Sequence, residues 1–295
     1  MSDPAEIKGR PIKKVRIGVA THVTPNSSLT GNDAVQDLLL VIDECIENQE
    51  FKIIIDFSAV ATIDSLAIST LMDLQDRLIK LGGWVKISGH NSIISEIAAI
   101  TGLSDYLTFL NSEGKRERKN EEEVTFGPGA RLGDILVARN LISEARIADA
   151  LKLQDRLGKR MGQIIIDKGW VAEMDVLRAL GEQLGVPFVR LRPGLFDPAT
   201  AALLDRSIAR RLCALPLFRV RSILYMATAK PQDMPTFEEV SERLQCVVRP
   251  VLARKEDILK ILNESVGLDD MQFDMIGDVD EDFEVVENLQ VEDYA

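Results

Sequence analysis

Apolar positions in the first hundred residues alternate or run together in some segments and recur with helical spacing in others. The alternating or continuous segments predict strands at residues 15–21, 52–56, 84–88 and 107–110. The helical spacing predicts helices over residues 34–48, 65–81 and 91–100. Either Asp64 or Ser65 can cap the second of these helices. This alternation of strands and helices predicts a small α/β sandwich over residues 15–112, preceded by an N-terminal arm at residues 1–14.

A pattern of helical period occurs twice between residues 131 and 183. RLGDILVARNLISEARIADALKLQ, residues 131–154, returns 29 residues later as RMGQIIIDKGWVAEMDVLRALGEQ, residues 160–183. Seven of the 24 positions are identical, so we expect two copies of one unit. Each copy is predicted to form two short helices joined at Asn140 or Gly169, because both residue types tolerate the left-handed conformation. Ser143 can cap the following helix, whereas its counterpart Ala172 cannot.

Three residue types recur in register although core packing does not readily explain them. They are an arginine, a glycine and a glutamine, namely Arg131 and Arg160, Gly133 and Gly162, and Gln154 and Gln183. Glycine costs a helix about 1 kcal/mol relative to alanine, and a cation is unfavourable near a helix N-terminus. An anion bound to free amides and a guanidinium would compensate for both. The alternative is that glycine permits tight helix packing and arginine is a solvated flank.

The repeat resembles the motif RLGxxLxxxGLIxxxxLxxALxxQ, which occurs twice in the MshEN-type N-terminal module of secretion and pilus assembly ATPases. In that family the two copies bind cyclic di-GMP, so the resemblance implies a ligand site in a helical tandem-motif module over residues 131–185. One implied half-site consists of Arg131, Leu132, Gly133, Leu141, Ile142 and Gln154. The other consists of Arg160, Met161, Gly162, Trp170, Val171 and Gln183. Trp170 is larger than the family residue and could stack on guanine or crowd it.

The chain after the repeats is predicted to be a small α+β subdomain over residues 186–267. Strands are expected at residues 188–191, 217–220, 223–227 and 246–252. Helices are expected at residues 199–204, 207–212, 237–244 and 255–263. The segment YMATAKPQDM resembles a stretch of the subdomain that follows the repeats in secretion ATPases.

The predicted α/β sandwich resembles a STAS domain, the fold of anti-sigma factor antagonists. The resemblance rests on IIIDFSAVATIDSLAISTLMDLQDRLIKLGGWVKISG and on GLSDYLTFL. It implies a protein partner, which would be a kinase, an anti-sigma factor or secretion and pilus machinery. It also makes Ser65 a phosphorylation candidate whose hydroxyl is expected near the surface, although Leu66 is bulkier than the usual residue there. The alternative is that Ser65 only caps a helix.

Two segments have charge without apolar periodicity. Residues 113–130 carry mixed charges and are predicted to be a linker between two separately folded parts. Residues 268–295 are acidic, contain no lysine or arginine, and are predicted to be a disordered tail that can fold on a partner. Because this tail accounts for most of the net charge of −12, the rest is nearly neutral and no nucleic-acid partner is expected. Phe283 stands where a calcium loop begun by Asp278 needs glycine, so no calcium site is predicted.

Several features bear on location. No apolar run has the length of a membrane helix, so membrane insertion is not expected. The N-terminus is polar and contains Pro4 and Pro11, which does not fit a signal peptide. Three scattered cysteines are expected to be reduced thiols. The protein is therefore predicted to be cytoplasmic.

The sequence lacks the common catalytic motifs. There is no GxxxxGK[ST] phosphate loop, and no metal-ligand spacing appears. His22 and His90, the two histidines, lie in different segments without a nucleophile motif nearby. We therefore expect no enzyme, no metal and no cofactor. The predicted function is a non-enzymatic bacterial signalling adaptor that binds cyclic di-GMP and couples it to STAS-mediated protein interaction. The alternative is a structural docking partner that binds no nucleotide.

Overall fold

A five-stranded sheet with helices forms the first part of the molecule. The structure, a computed structural model, describes residues 12–111 and 130–264. The elements in the first range are β1 (Ile12–Ile17), β2 (Ala20–Pro25), α1 (Asn32–Glu47), β3 (Lys52–Asp56), α2 (Ser65–Lys80), β4 (Trp84–Ser88), α3 (Ser92–Thr101), α4 (Leu103–Tyr106) and β5 (Thr108–Phe109). The strand order is β1-β2-β3-β4-β5, with β1 antiparallel to β2 and the other neighbours parallel. The predicted α/β fold is confirmed.

Alternation along the central strands orients this sheet. Ile53 and Ile55 of β3 are fully buried, whereas Ile54 between them is half-buried. Since successive side chains of a strand point to opposite faces, one face lies in the core and the other is more open. Helix α2 begins at Ser65 because the Asp64 side chain accepts a hydrogen bond from the amide of Ala67 at 2.8 Å.

The single strand predicted at residues 15–21 is wrong. The chain instead forms a hairpin, in which β1 and β2 are joined at Gly18 and Val19 and Ile17 pairs with Ala20. Gly18 has φ +61°, which suits a tight hairpin turn and interrupts what the apolar alternation suggested was one strand. Residues 12–14, expected in the N-terminal arm, belong to β1.

The repeated segment folds as four helices with a core of their own. The helices are α5 (Leu132–Ala138), α6 (Glu144–Leu157), α7 (Met161–Asp167) and α8 (Glu173–Leu184). Helix α5 packs on α8, and α6 packs on α7. Because a shift of 29 residues maps α5 onto α7 and α6 onto α8, these two contacts are equivalent and the unit is approximately two-fold symmetric. Their core consists of Leu132, Ile135, Leu136, Ile142, Ala150, Ile164, Ile165, Val171, Val176 and Ala179.

The last part of the chain is the expected α+β subdomain. Its elements are α9 (Pro198–Ala201), α10 (Arg206–Leu212), β6 (Ala214–Val220), β7 (Ile223–Thr228), α11 (Met234–Leu244), β8 (Val247–Leu252) and α12 (Lys255–Glu264). Strand β7 lies between β6, which is antiparallel to it, and β8, which is parallel. The strand predicted at residues 188–191 is reduced to one bridge between Phe188 and Leu252.

The five-stranded domain and the α+β subdomain share one hydrophobic core. Buried residues from Ile12 to Phe109 and from Val189 to Leu262 form a continuous cluster, and α2 packs against β6. The linker prediction did not include this shared core. That the two parts fold separately stays a prediction. The linker itself and the acidic tail lie outside the described residues, and the predicted domain boundaries stay predictions.

Candidate functional site

The first turns of α5 and α7 face each other across the approximate two-fold axis. A Cβ atom built on Gly133 would lie 3.7 Å from Met161 Cε, and one built on Gly162 would lie 3.4 Å from Leu132 Cδ2. Leu132 and Met161 occupy equivalent positions, so each copy's glycine packs against the other copy's first helical residue. The structure thus brings the starts of both motifs to one side of the four helices.

Arg131 and Arg160 occupy matching backbone positions immediately before these two turns. Both are N-cap residues in extended conformation, with φ and ψ of −77° and 140° for Arg131 and −64° and 142° for Arg160. Both are exposed. Within residues 12–111 and 130–264, neither guanidinium takes part in a side-chain hydrogen bond or an ion pair. Two guanidinium groups on equivalent backbone positions are therefore open to an anion.

The glycines are also accounted for by packing, but unequally. At Gly133 a Cβ atom would lie 3.1 Å from Ile147 Cγ2, which is closer than ordinary contact. At Gly162 the nearest atoms, on Leu132 and Val176, would lie at 3.4 Å, which is ordinary van der Waals distance. Tight helix packing thus favours glycine at Gly133, whereas the packing at Gly162 leaves room for alanine.

The other predicted site residues divide into packed and partly open side chains. Ile142 and Val171 are buried in the core of the repeated helices, so their contribution to a ligand surface is small. Leu141 and Trp170 are half-buried. The guanidinium carbon of Arg146 lies 6.0 Å from the centre of the Trp170 ring. Trp170 therefore presents part of its ring beside a cation at the surface.

Gln154 and Gln183 lie near the ends of α6 and α8 and are half-buried. In the described part of the chain, neither side-chain amide has a hydrogen-bond partner. Each amide carries both donors and acceptors, so both could pair with a base or ribose edge.

Local chemistry sets the two turns of the repeat as predicted. Asn140 and Gly169 have φ of +56° and +63°. The Ser143 hydroxyl accepts a hydrogen bond from the amide of Arg146 at 3.4 Å, whereas Ala172 caps α8 without a side-chain bond. The second copy therefore has the weaker helix start.

The repeated helices are attached to the α+β subdomain at α8. Arg254, just before α12, lies 2.6 Å from Glu173 in the first turn of α8. At the other end of α8, a Cβ atom on Gly181 would lie 2.8 Å from the carbonyl oxygen of Val186. Both ends of α8 thus contact the subdomain or the segment that leads into it.

Ser65 is buried, so the expectation of a surface hydroxyl is wrong. The side chain is covered by the α+β subdomain, where its Oγ lies 2.9 Å from Thr200 Oγ1 and accepts a hydrogen bond from the amide of Arg219 at 3.0 Å. The amide of Ser65 donates to Asp197 Oδ2 at 3.3 Å. Ser65 stays a phosphorylation candidate, but a kinase could reach it only after this contact opens.

Asp197 is the acceptor at the end of this buried network. Its carboxylate accepts hydrogen bonds from the Thr200 hydroxyl at 2.8 Å and from the amide of Ala199 at 3.0 Å. Burial alone would raise the pKa of Asp197, but the hydrogen bonds from Ser65, Thr200 and Ala199 outweigh it, and the pKa lies below its ordinary value. Sequence analysis missed Asp197 and Thr200. Their one visible signal, an aspartate before Pro198, indicates only a helix start.

Comparison with protein families gives two matches. Residues 23–115 match the STAS domain, and residues 184–272 match the MshEN domain. The chain carries a STAS domain followed by an MshEN domain. The MshEN match begins at the last residue of α8, so it covers the α+β subdomain, while the repeated helices lie before it.

Individual proteins are similar to parts of the chain. The type IV pilus assembly ATPase PilB of Myxococcus xanthus is 26% identical over 156 residues, and this chain spans 28% of its length. That alignment covers 52% of this chain, a longer stretch than residues 184–272 of the MshEN match. The solved structure of MshE with cdg is 31% identical and covers 46% of this chain and 98% of that one, with a TM-score of 0.41. A Thermotoga maritima protein described as an anti-sigma factor antagonist is 19% identical over 33% of this chain and 84% of its own, with a TM-score of 0.32.

Two searches of the described residues bear on other kinds of site. No helix between residues 12 and 111 or between 130 and 264 is long and apolar enough to cross a membrane. In the same ranges, no group of three or more histidine, cysteine or acidic side chains is placed to hold a metal ion.

Proposed function

We propose that the repeated helices bind cyclic di-GMP and that the chain is a non-enzymatic adaptor that couples this ligand to its STAS domain. The observation that carries the proposal is the pair of equivalent arginines, Arg131 and Arg160, which are exposed and lack an ionic partner among the described residues. Cyclic di-GMP consists of two identical halves, each with one phosphate and one guanine. Two guanidinium groups related by a two-fold axis suit such a ligand.

The choice of ligand rests on the motif. The repeat resembles the cyclic di-GMP motif of secretion ATPases, and MshE, which shares 31% identity with this chain, is described with cdg, an abbreviation of that nucleotide. Trp170 would cover a guanine ring, and the two glutamines would bind base or ribose edges. Neither matched domain family is catalytic, which supports an adaptor. Location in the cytoplasm is part of the same proposal.

Calorimetric titration of the purified chain with cyclic di-GMP tests this function. We expect one nucleotide per chain and a dissociation constant on the order of 1 μM, about −8 kcal/mol. GMP at the same concentration should give no comparable heat, because it offers only one half of the ligand. Absence of heat and of any thermal shift would favour the alternative, a docking protein that binds no nucleotide.

Two substitutions test the assigned residues. Arg131→Ala and Arg160→Ala should each weaken binding about tenfold or more, because a charge-assisted hydrogen bond contributes about 1.5–3 kcal/mol. Arg178→Ala is the control, since Arg178 is an exposed arginine on α8 whose equivalent position in the other copy is Asp149. If both motif variants keep normal affinity and an unchanged circular dichroism spectrum, the half-sites are assigned wrongly.

A further inference from the structure

The α+β subdomain covers one face of the STAS domain through polar contacts as well as apolar ones. At the start of α2, the Thr62 hydroxyl donates to the carbonyl of Gly194 at 2.9 Å. At α3, the two terminal nitrogens of Arg192 bind the two carboxylate oxygens of Glu96 at 2.9 and 2.7 Å. Such bidentate pairs fix orientation as well as proximity.

The same face is held at two further points. Arg221 lies 2.7 Å from Asp73 and 2.9 Å from Asp76, both on α2. The Tyr225 hydroxyl donates to the carbonyl of Thr101 at the end of α3 at 2.9 Å, and this bond is buried. The contact therefore combines a buried, mainly apolar centre with charged pairs at its edge, as specific protein interfaces do.

We propose that the start of α2 is an interaction surface whose resident partner is this chain's own α+β subdomain, and that a negative charge at position 65 releases this partner. The inference rests on the proposed adaptor function, since it names a partner for the STAS domain. It involves no nucleotide, so it can fail or succeed independently of cyclic di-GMP binding.

The reason for release is the position of two carboxylates. The Thr200 hydroxyl donates to Asp197 and can only accept from Ser65, while Asp64 flanks Ser65 at the helix cap. A negatively charged side chain at position 65 could not donate a hydrogen bond to Thr200, as the Ser65 hydroxyl does. Its charge would also be buried beside the Asp197 carboxylate, which is unfavourable. With the subdomain released, the same charge would lie in water at the start of α2, where the helix dipole favours it.

The test uses the full chain with a protease recognition sequence placed between residues 112 and 129. After cleavage the fragments should elute together in size-exclusion chromatography at micromolar concentration. Ser65→Asp should raise the dissociation constant of the fragments at least tenfold relative to Ser58→Asp. Ser58 is an exposed serine in the same domain, so this control adds the same charge outside the contact.

Charge reversal tests the partner independently of position 65. Arg192→Glu should weaken the association of the fragments, and the double variant Arg192→Glu with Glu96→Arg should restore it. Separation of the unmodified fragments would show that the face has no resident partner. Equal association of Ser65→Asp and Ser58→Asp, or loss of helical circular dichroism in Ser65→Asp, would overturn release by charge.

Discussion

At the scale of single residues, the two repeated glycines separate a packing role from a role in ligand approach. Gly133 lies so close to Ile147 that an added methyl group would displace the Ile147 side chain. At Gly162 the neighbours of a Cβ atom would lie at ordinary van der Waals distance. Neither glycine has a positive φ, so backbone conformation does not require glycine at either position. What keeps glycine at Gly162 is therefore not the fold of the repeated helices alone.

Gly162→Ala should raise the free energy of unfolding by up to about 1 kcal/mol, because alanine is the better helix former. Gly133→Ala should raise the free energy of unfolding less than Gly162→Ala, or lower it, because the Ile147 side chain must move. Thermal melts of both variants measure the difference. If a ligand approaches the backbone at Gly162, the stabilised Gly162→Ala protein should bind cyclic di-GMP more weakly. Unchanged affinity would assign Gly162 to packing only.

How far a residue's role can be predicted depends on the distance along the chain of the groups that decide it. The left-handed turns at Asn140 and Gly169 and the cap by Ser143 are predictable, since the deciding chemistry lies within a few residues. The burial of Ser65 is not, because Asp197 and Thr200 lie 132 and 135 residues further along. Asp73 and Asp76 are typical of a solvated helix face, and only the fold brings Arg221 to them.

At the scale of elements, α6 and α8 are the same helix in two copies with different starts. The backbone before both is extended, with φ and ψ of −85° and 153° at Ser143 and −66° and 141° at Ala172. The geometry for a side-chain cap is therefore present before α8, and only the oxygen is missing. Elements were predictable where period and caps agreed, as for α2. They were not predictable where the alternation continues through an exposed hairpin turn, as at Gly18 and Val19 between β1 and β2.

Ala172→Ser should stabilise α8 by about 0.5–2 kcal/mol by offering a hydroxyl to the amide of Asp175. Ala172 is exposed, so the larger side chain should meet no steric obstacle. Ser143→Ala, the reciprocal change, should destabilise α6 by a similar amount. Chemical denaturation measures both effects. Opposite signs of equal size would show that the side-chain cap contributes equally to the two helices, while no gain in Ala172→Ser would mean that α8 starts differently in solution.

At the scale of the whole molecule, the described residues form two hydrophobic cores, and the linker does not mark the boundary between them. One core joins the STAS domain to the α+β subdomain, and the other lies within the repeated helices. The sequence shows where elements lie but not which surfaces meet, because the apolar faces of α2 and β6 are equally consistent with separate cores. The four repeated helices form the smaller unit, and small units bury a smaller fraction of their surface and are less stable.

Calorimetry should therefore show two unfolding transitions. The one at lower temperature should have the smaller enthalpy and belong to the repeated helices. Cyclic di-GMP should raise this lower transition more than the upper one, since a ligand at 100 times its dissociation constant stabilises the unit that binds it by about 2.7 kcal/mol. The double variant Arg131→Ala with Arg160→Ala should keep both transitions and lose the shift. Ser65→Asp should instead lower the upper transition, because its charge acts within the shared core. A single transition that moves as a whole with nucleotide would show that the contact between Arg254 and Glu173 couples the two cores into one cooperative unit.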